Sequence, residues 1–218
     1  MTKKEDVLPV VTIGEEIANS VSHGVGSIFA IAGTAVAVVW AVIFGNVYSV
    51  VSAAIYGATL IILYTMSTLY HAFTNKTVKK IFRIFDHCSI FLLIAGTYTP
   101  YTLVAMNGAV GWTIFGIIWG LAILGIVINA ISIERFKIFS MICYLAMGWL
   151  IIMYFKPLMQ AIGFSATLLL LIGGLLYTVG AIFYGIKAKY MHGVWHLFVL
   201  GGSVLHYLSI LIYVLPVK

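Results

Sequence analysis

Apolar residues fill most of this chain in long runs that short polar segments separate. Each run is close to the roughly 20 residues that an α-helix needs to cross the hydrocarbon core of a bilayer. The pattern predicts an all-α integral membrane protein, a seven-transmembrane helix bundle with short connections. We expect residues 1–218 to form one membrane domain, with 1–15 as a short polar cytoplasmic segment in front of it. The seven predicted spans are 20–44, 48–72, 85–105, 111–131, 138–155, 164–186 and 192–214.

The composition agrees with this fold class. Of the 218 residues, 63% are hydrophobic and 8% are charged, and the mean hydropathy is +1.13, which exceeds what a soluble domain of this size needs. The net charge is +6, but the basic residues lie in short segments beside the spans, so we expect a topological role and no nucleic-acid partner. Because acidic residues precede the first run, we expect no cleaved signal peptide. Cys88 and Cys143 lie inside spans, which favours packing over a disulfide.

Basic residues are unevenly distributed between the two sides of the predicted bundle. One side carries ten of the 12 Lys and Arg residues, whereas the other carries Lys156 and Lys218. The positive-inside rule therefore predicts a cytoplasmic amino terminus and an external carboxyl terminus. We expect a multi-pass protein of the plasma (cell) membrane. The ten basic residues are Lys3, Lys4, Lys76, Lys79, Lys80, Arg83, Arg135, Lys137, Lys187 and Lys189.

Polar residues from three distant spans are predicted to reach the cytoplasmic side together. His71 ends the second span, Asp86 opens the third, and His192 and His196 open the seventh. His192 and His196 are one helical turn apart, as are Ser67 and His71. Three neutral imidazoles can hold a zinc ion and leave a fourth position for water, which a nearby carboxylate can orient or deprotonate. The alternative is that the histidines form hydrogen bonds between helices, and Ser67 alone is better explained by packing or by a hydrogen bond to its own helix.

Other polar residues are less easily assigned. Glu16, Asn19 and His23 share one helical face near the same membrane surface. They form either a network around the site or a polar helix cap. His87 points about 100° away from Asp86 on a helix. His206 follows His192 by 14 residues, hence by roughly 21 Å, so it belongs to a helix contact or a cavity wall.

These motifs together resemble the hemolysin III family, within the wider group of progestin and adiponectin receptors, and they are similar to those of alkaline ceramidases. The resemblance implies a seven-helix bundle with Zn2+ near the cytoplasmic face. It implies His71, His192 and His196 as zinc ligands, Asp86 holding or activating the water, and Ser67 beside it. The matching segments are Glu16-x-x-Asn19-x-x-x-His23, Ser67-x-x-x-His71, Phe85-Asp86-His87-Cys88-Ser89-Ile90, Ala95-Gly96-Thr97-Tyr98-Thr99-Pro100, and His192-x-x-x-His196 with His206.

Three functions remain open, and with them the question of whether the protein is an enzyme. One is a zinc-dependent intramembrane hydrolase, a ceramidase-like amidase or esterase that affects membrane lipid homeostasis, with Asp86 as general base and Ser67 assisting the oxyanion. Another is a pore-forming cytolysin, although no span carries a charged stripe. The third is a receptor or regulator with structural zinc. Membrane lipids are the expected substrate or ligand, short outer segments leave little surface for a large extracellular protein, and the oligomeric state is open.

Overall fold

The computed structural model describes residues 8–217, and these residues form helices with no β-strand. Short π-helical segments follow the third and seventh helices, at Tyr101–Ala105 and Ile210–Val214, and a 3-10 segment, Leu150–Tyr154, joins the fifth helix to the sixth. The predicted all-α fold is confirmed. The helices are α1 (Ile13–Phe44), α2 (Val47–Ala72), α3 (Lys76–Pro100), α4 (Ala109–Ile131), α5 (Ile133–Trp149), α6 (Phe155–Gly185) and α7 (Met191–Ser209).

Six helical stretches in the described part of the chain are long and apolar enough to cross a membrane. Five correspond to the first four predicted spans and the last. The fifth and sixth predicted spans lie together in one stretch of 53 residues, Ile133–Gly185. Gly163 interrupts that stretch with φ of 80° and ψ of 172°, a backbone conformation that glycine adopts without a steric penalty. A seventh separate span is not shown, so the count of seven stays a prediction.

The predicted orientation of the termini also stays a prediction. Lys3, Lys4 and Lys218, which contribute to the charge asymmetry, lie outside the described residues, as do residues 1–7 of the predicted 1–15 segment. What the structure shows is a common end of the bundle, because the start of α1 contacts the end of α2 through Glu16 and His71.

Two side-chain caps fix where the site-bearing helices begin. Thr12 and Glu15 form a capping box at the start of α1: Glu15 N–H donates to Thr12 Oγ1 over 3.4 Å, and the Glu15 carboxylate accepts from Thr12 N–H at 2.9 Å. At α3, Asn75 Oδ1 accepts from the backbone N–H groups of Thr77 and Val78. These contacts satisfy backbone donors that have no partner inside the helix. The caps therefore stabilise the first turns of α1 and α3, which precede Glu16 and Asp86.

Close approach of α1, α2 and α3 depends on small residues. Gly57 of α2 packs against the side chain of Thr34 on α1, and Gly96 of α3 packs against Thr59 of α2. In a membrane, helices associate through such close packing, because the lipid tails are as apolar as the side chains and the hydrophobic effect does not drive the helices together. The polar ends of the three helices are thereby held near one another.

We predict that Gly96→Ala destabilises the bundle by about 1–3 kcal/mol, since its new methyl group overlaps the Thr59 side chain. Gly116→Ala is the matched control, because nothing lies within 4 Å of a Cβ at that position of α4. Thermal unfolding in detergent should show a lower midpoint for the Gly96 variant alone. Equal midpoints for the two variants would contradict this account of the packing.

Candidate metal centre

Three histidines from two helices converge at the common end of the bundle. His71 lies in the last turn of α2, and His192 and His196 lie in the first turns of α7. Their potential ligand atoms are all within 4.8 Å of one another. The centroids of the rings of His71 and His196 are 5.2 Å apart, and those of His192 and His196 are 4.7 Å apart. We refer to His71, His192 and His196 as the three-histidine cluster.

Each ring of the cluster has one nitrogen without a hydrogen-bond partner. Nε2 of His71, His192 and His196 is buried and accepts or donates no hydrogen bond among the described residues. Buried polar atoms in native proteins nearly always have a partner. Three such atoms in one place could be satisfied by one ligand common to all three rings.

Contacts on the opposite side of two rings determine which nitrogen carries the proton. His71 Nδ1 lies 2.7 Å from Glu16 Oε2, and a carboxylate only accepts. Ser22 Oγ donates to the Asn19 carbonyl, so it accepts from His196 Nδ1 at 3.0 Å. In the neutral rings Nδ1 therefore bears the hydrogen, and Nε2 keeps its lone pair.

The donor set fits a transition-metal ion. Neutral imidazoles bind zinc, copper, iron and nickel, and the second ring nitrogen of such a ligand commonly donates to a carboxylate or a carbonyl, as in this protein. Zinc–nitrogen bonds of about 2.0–2.1 Å place the nitrogen atoms of a tetrahedral site about 3.4 Å apart. The ligand atoms of the cluster, which lie within 4.8 Å of one another, would have to move closer together to reach that separation. The cluster can hold a metal ion, with the three Nε2 atoms as ligands.

Residues of α1 surround the cluster. Glu16 bridges His71 to Lys79 of α3, with 2.8 Å between its Oε1 and Lys79 Nζ. Asn19 contacts both sides of the cluster, since its side-chain Nδ2 lies 3.5 Å from His71 Nδ1 and its carbonyl 3.3 Å from His196 Nδ1. Of the two sequence-based alternatives for this face of α1, the structure favours the network around the site.

His23 extends the network and was not among the predicted site residues. Its ring stacks on that of His196, with centroids 3.5 Å apart and planes 10° from parallel, and both of its nitrogens are buried without a hydrogen-bond partner in the described chain. The sequence carried a signal for it, because His23 falls on the same helical face as Glu16 and Asn19.

Asp86 and Ser67 lie next to the cluster without belonging to it. Asp86 is 4% exposed, and its carboxyl is close enough to interact with both His71 and Ser67. Ser67 is fully buried, and no polar group of the described residues meets the geometry of a hydrogen bond with its Oγ. The structure therefore brings together all five residues that the sequence singled out.

A largely apolar cavity runs from this site into the bundle between α3, α5, α6 and α7. The cavity has a volume of about 160 Å³ and is open on one side. Its site end is lined by Asp86, His23 and His87, and its inner end by Tyr101 and His206. His87 and His206, which the sequence separated from the metal ligands, are thus both cavity-lining residues. Aliphatic and aromatic side chains form most of the wall between the two ends, among them Leu63, Ile90, Ile94, Leu145, Leu170 and Val199.

Comparison with known proteins agrees with the motifs. A family model described as Haemolysin-III related matches residues 11–207. Hemolysin-3 of Bacillus cereus is 45% identical over 205 residues, 94% of this chain and 94% of that protein. The Hemolysin-3 homolog of Bacillus subtilis (strain 168) is 42% identical over 207 residues, 94% of this chain and 97% of that protein.

A more distant similarity reaches into animals. The Monocyte to macrophage differentiation factor of Homo sapiens is 28% identical over 206 residues, 91% of this chain and 84% of that protein. The family resemblance carried by the motifs is confirmed, and the match extends over nearly the whole chain. This multi-pass membrane protein therefore belongs to the Haemolysin-III related family.

Proposed function

We propose that this protein is a zinc-dependent membrane hydrolase that cleaves an amide or ester bond in a lipid and acts in membrane lipid homeostasis. One observation carries the proposal: three buried histidines with unpartnered Nε2 atoms cluster next to Asp86, and Asp86 itself lines an apolar cavity. Metal ligands, a carboxylate and a hydrocarbon-lined space are the three parts that such a reaction needs.

The chemistry is divided among the metal and the side chains beside it. Zinc bound by the three-histidine cluster would polarise the substrate carbonyl and activate water. Asp86 borders both the cluster and the cavity, so its carboxylate is placed to take a proton from the attacking water and to return it to the leaving amine or alcohol. Ser67 lies beside Asp86, and its O–H would donate to the carbonyl oxygen as negative charge develops there.

The substrate class follows from the two environments that meet at the site. The cavity wall is apolar and suits a hydrocarbon tail, whereas the site end offers histidine and carboxylate groups to a polar head. An amphiphilic lipid satisfies both. We place the protein in the cell membrane with its site near the cytoplasmic face, on the basis of the charge asymmetry of the chain.

A structural role for the metal is the alternative that the geometry also supports. The cluster and its contacts join α1, α2 and α7, so a bound ion would hold these helices together. Loss of metal would then lower thermal stability, with no hydrolysis to lose.

We expect purified protein to carry one zinc ion per chain, and each of His71→Ala, His192→Ala and His196→Ala to lose it. Removing a ligand should weaken binding by more than the roughly 10–100-fold that outer contacts contribute. His87→Ala is the control, because His87 lines the cavity outside the cluster. Elemental analysis by mass spectrometry measures the content. Unchanged zinc in all three cluster variants would remove the basis of the proposal.

Glu16→Gln should weaken zinc affinity by about 10–100-fold, since the amide no longer fixes the His71 ring as the carboxylate does. Glu15→Gln is a closely matched control, because the neighbouring carboxylate accepts from Thr12 and from the Tyr190 N–H instead. Titration with a competing chelator gives both affinities. If the two variants bind zinc equally well, the carboxylate does not support the cluster.

Asp86→Asn should keep the zinc and lose hydrolysis by about 10²–10⁴-fold, because the amide cannot accept the proton from water. The assay uses zinc-loaded protein in nanodiscs with a panel of ceramides, N-acyl amino acids and glycerophospholipid esters. Wild-type protein without turnover on any of these lipids, yet with a lower thermal midpoint after chelation, would establish the structural alternative.

A further inference from the structure

His206 places a polar group at the inner end of the apolar cavity. It lies on α7 ten residues beyond His196, is 7% exposed, and lines the cavity together with Tyr101 and Tyr177. Tyr177 of α6 packs edge-on against its ring, with centroids 5.3 Å apart. Gly173, also on α6, packs against the Nε2 edge of the ring, where any side chain would collide with it. The orientation of the imidazole is therefore fixed by packing.

The hydrogen bonds of His206 determine what it offers to the cavity. Its Nε2 lies 3.0 Å from the carbonyl oxygen of Leu170. A carbonyl only accepts, so Nε2 carries the hydrogen, and Nδ1 of the neutral ring is an acceptor. Nδ1 is buried and has no hydrogen-bond partner among the described residues. His206 lines the inner end of the cavity and thus carries an acceptor without a partner, which a hydrogen-bond donor bound there would satisfy.

We propose that His206 Nδ1 accepts a hydrogen bond from a hydroxyl group on the hydrocarbon chain of the lipid that occupies the cavity. The ligand class is a long-chain acyl lipid hydroxylated along its chain. The proposal rests on the proposed function in one respect, namely that the carboxyl or carbonyl head of the lipid lies at the three-histidine cluster.

The spacing along α7 indicates where the hydroxyl belongs. Ten residues of α-helix rise about 15 Å from His196 to His206. An extended hydrocarbon advances about 1.25 Å per carbon, from bonds of about 1.5 Å and near-tetrahedral angles. A hydroxyl close to the twelfth carbon therefore reaches the level of Nδ1 when the head is at the cluster, whereas one at the second carbon does not.

The test is competition against radiolabelled octadecanoic acid on zinc-loaded protein in nanodiscs. Octadecanoic acid with a hydroxyl at the twelfth carbon should compete about three- to tenfold more strongly than the unsubstituted acid. This is the increase in affinity expected from one additional hydrogen bond. The acid with a keto group at that carbon should show no gain, because a keto oxygen cannot donate. The acid hydroxylated at the second carbon should show none either.

Two variants locate the effect. His206→Phe keeps an aromatic ring and removes the acceptor. The hydroxylated and unsubstituted acids should then compete equally well with this variant. Tyr207→Phe is the control from the next position of α7, because the Tyr207 hydroxyl donates to the Gly33 carbonyl on α1 and the preference should persist.

The assignment is overturned if the hydroxylated and keto acids compete equally, if the position of the hydroxyl has no effect, or if His206→Phe retains the preference. The ligand series on wild-type protein decides the matter even where His206→Phe does not fold. Competition by unsubstituted acid with no hydroxyl preference would reject this subsite alone. Absence of zinc and of lipid hydrolysis would instead reject the proposed function.

Discussion

The contact between Glu16 and His71 is the interaction on which the rest of the site depends. A carboxylate within a helical membrane bundle requires partners, because hydrocarbon offers none. Glu16 has two, His71 on α2 and Lys79 on α3. One side chain of α1 thus joins three helices at one end of the bundle. By accepting from Nδ1, it also leaves the Nε2 lone pair of His71 directed toward α7.

The same principle operates at the other polar positions of α1 and α7. The Asn19 carbonyl and Ser22 orient His196 as Glu16 orients His71, so both rings present Nε2 to a common point. Deeper in the bundle, the carbonyl of Leu170 orients His206 in the opposite sense and leaves Nδ1 free. His71, His196 and His206 are thus each held by a contact at one ring nitrogen, and the other nitrogen has no hydrogen-bond partner among the described residues.

Much of the site could be predicted from sequence, because span ends are visible in hydropathy. Once the basic segments assigned the spans to sides, His71, Asp86, His192 and His196 had to lie at one end of the bundle. Other features depended on three-dimensional packing and left no such signal: the stacking of His23 on His196, the ring nitrogen that each histidine leaves free, and the cavity between four helices. Hydropathy also could not distinguish two spans from the single stretch Ile133–Gly185, in which the 3-10 segment Leu150–Tyr154 and Gly163 interrupt the α-helix.

The proposed function requires that His71, His192 and His196 bind zinc through their Nε2 atoms. X-ray absorption at the zinc edge of purified, metal-loaded protein tests it most directly, because it reports the ligand atoms themselves. We predict three imidazole nitrogens at about 2.0–2.1 Å, completed by oxygen. A spectrum with sulfur ligands, or with fewer than three imidazoles, would contradict the assignment.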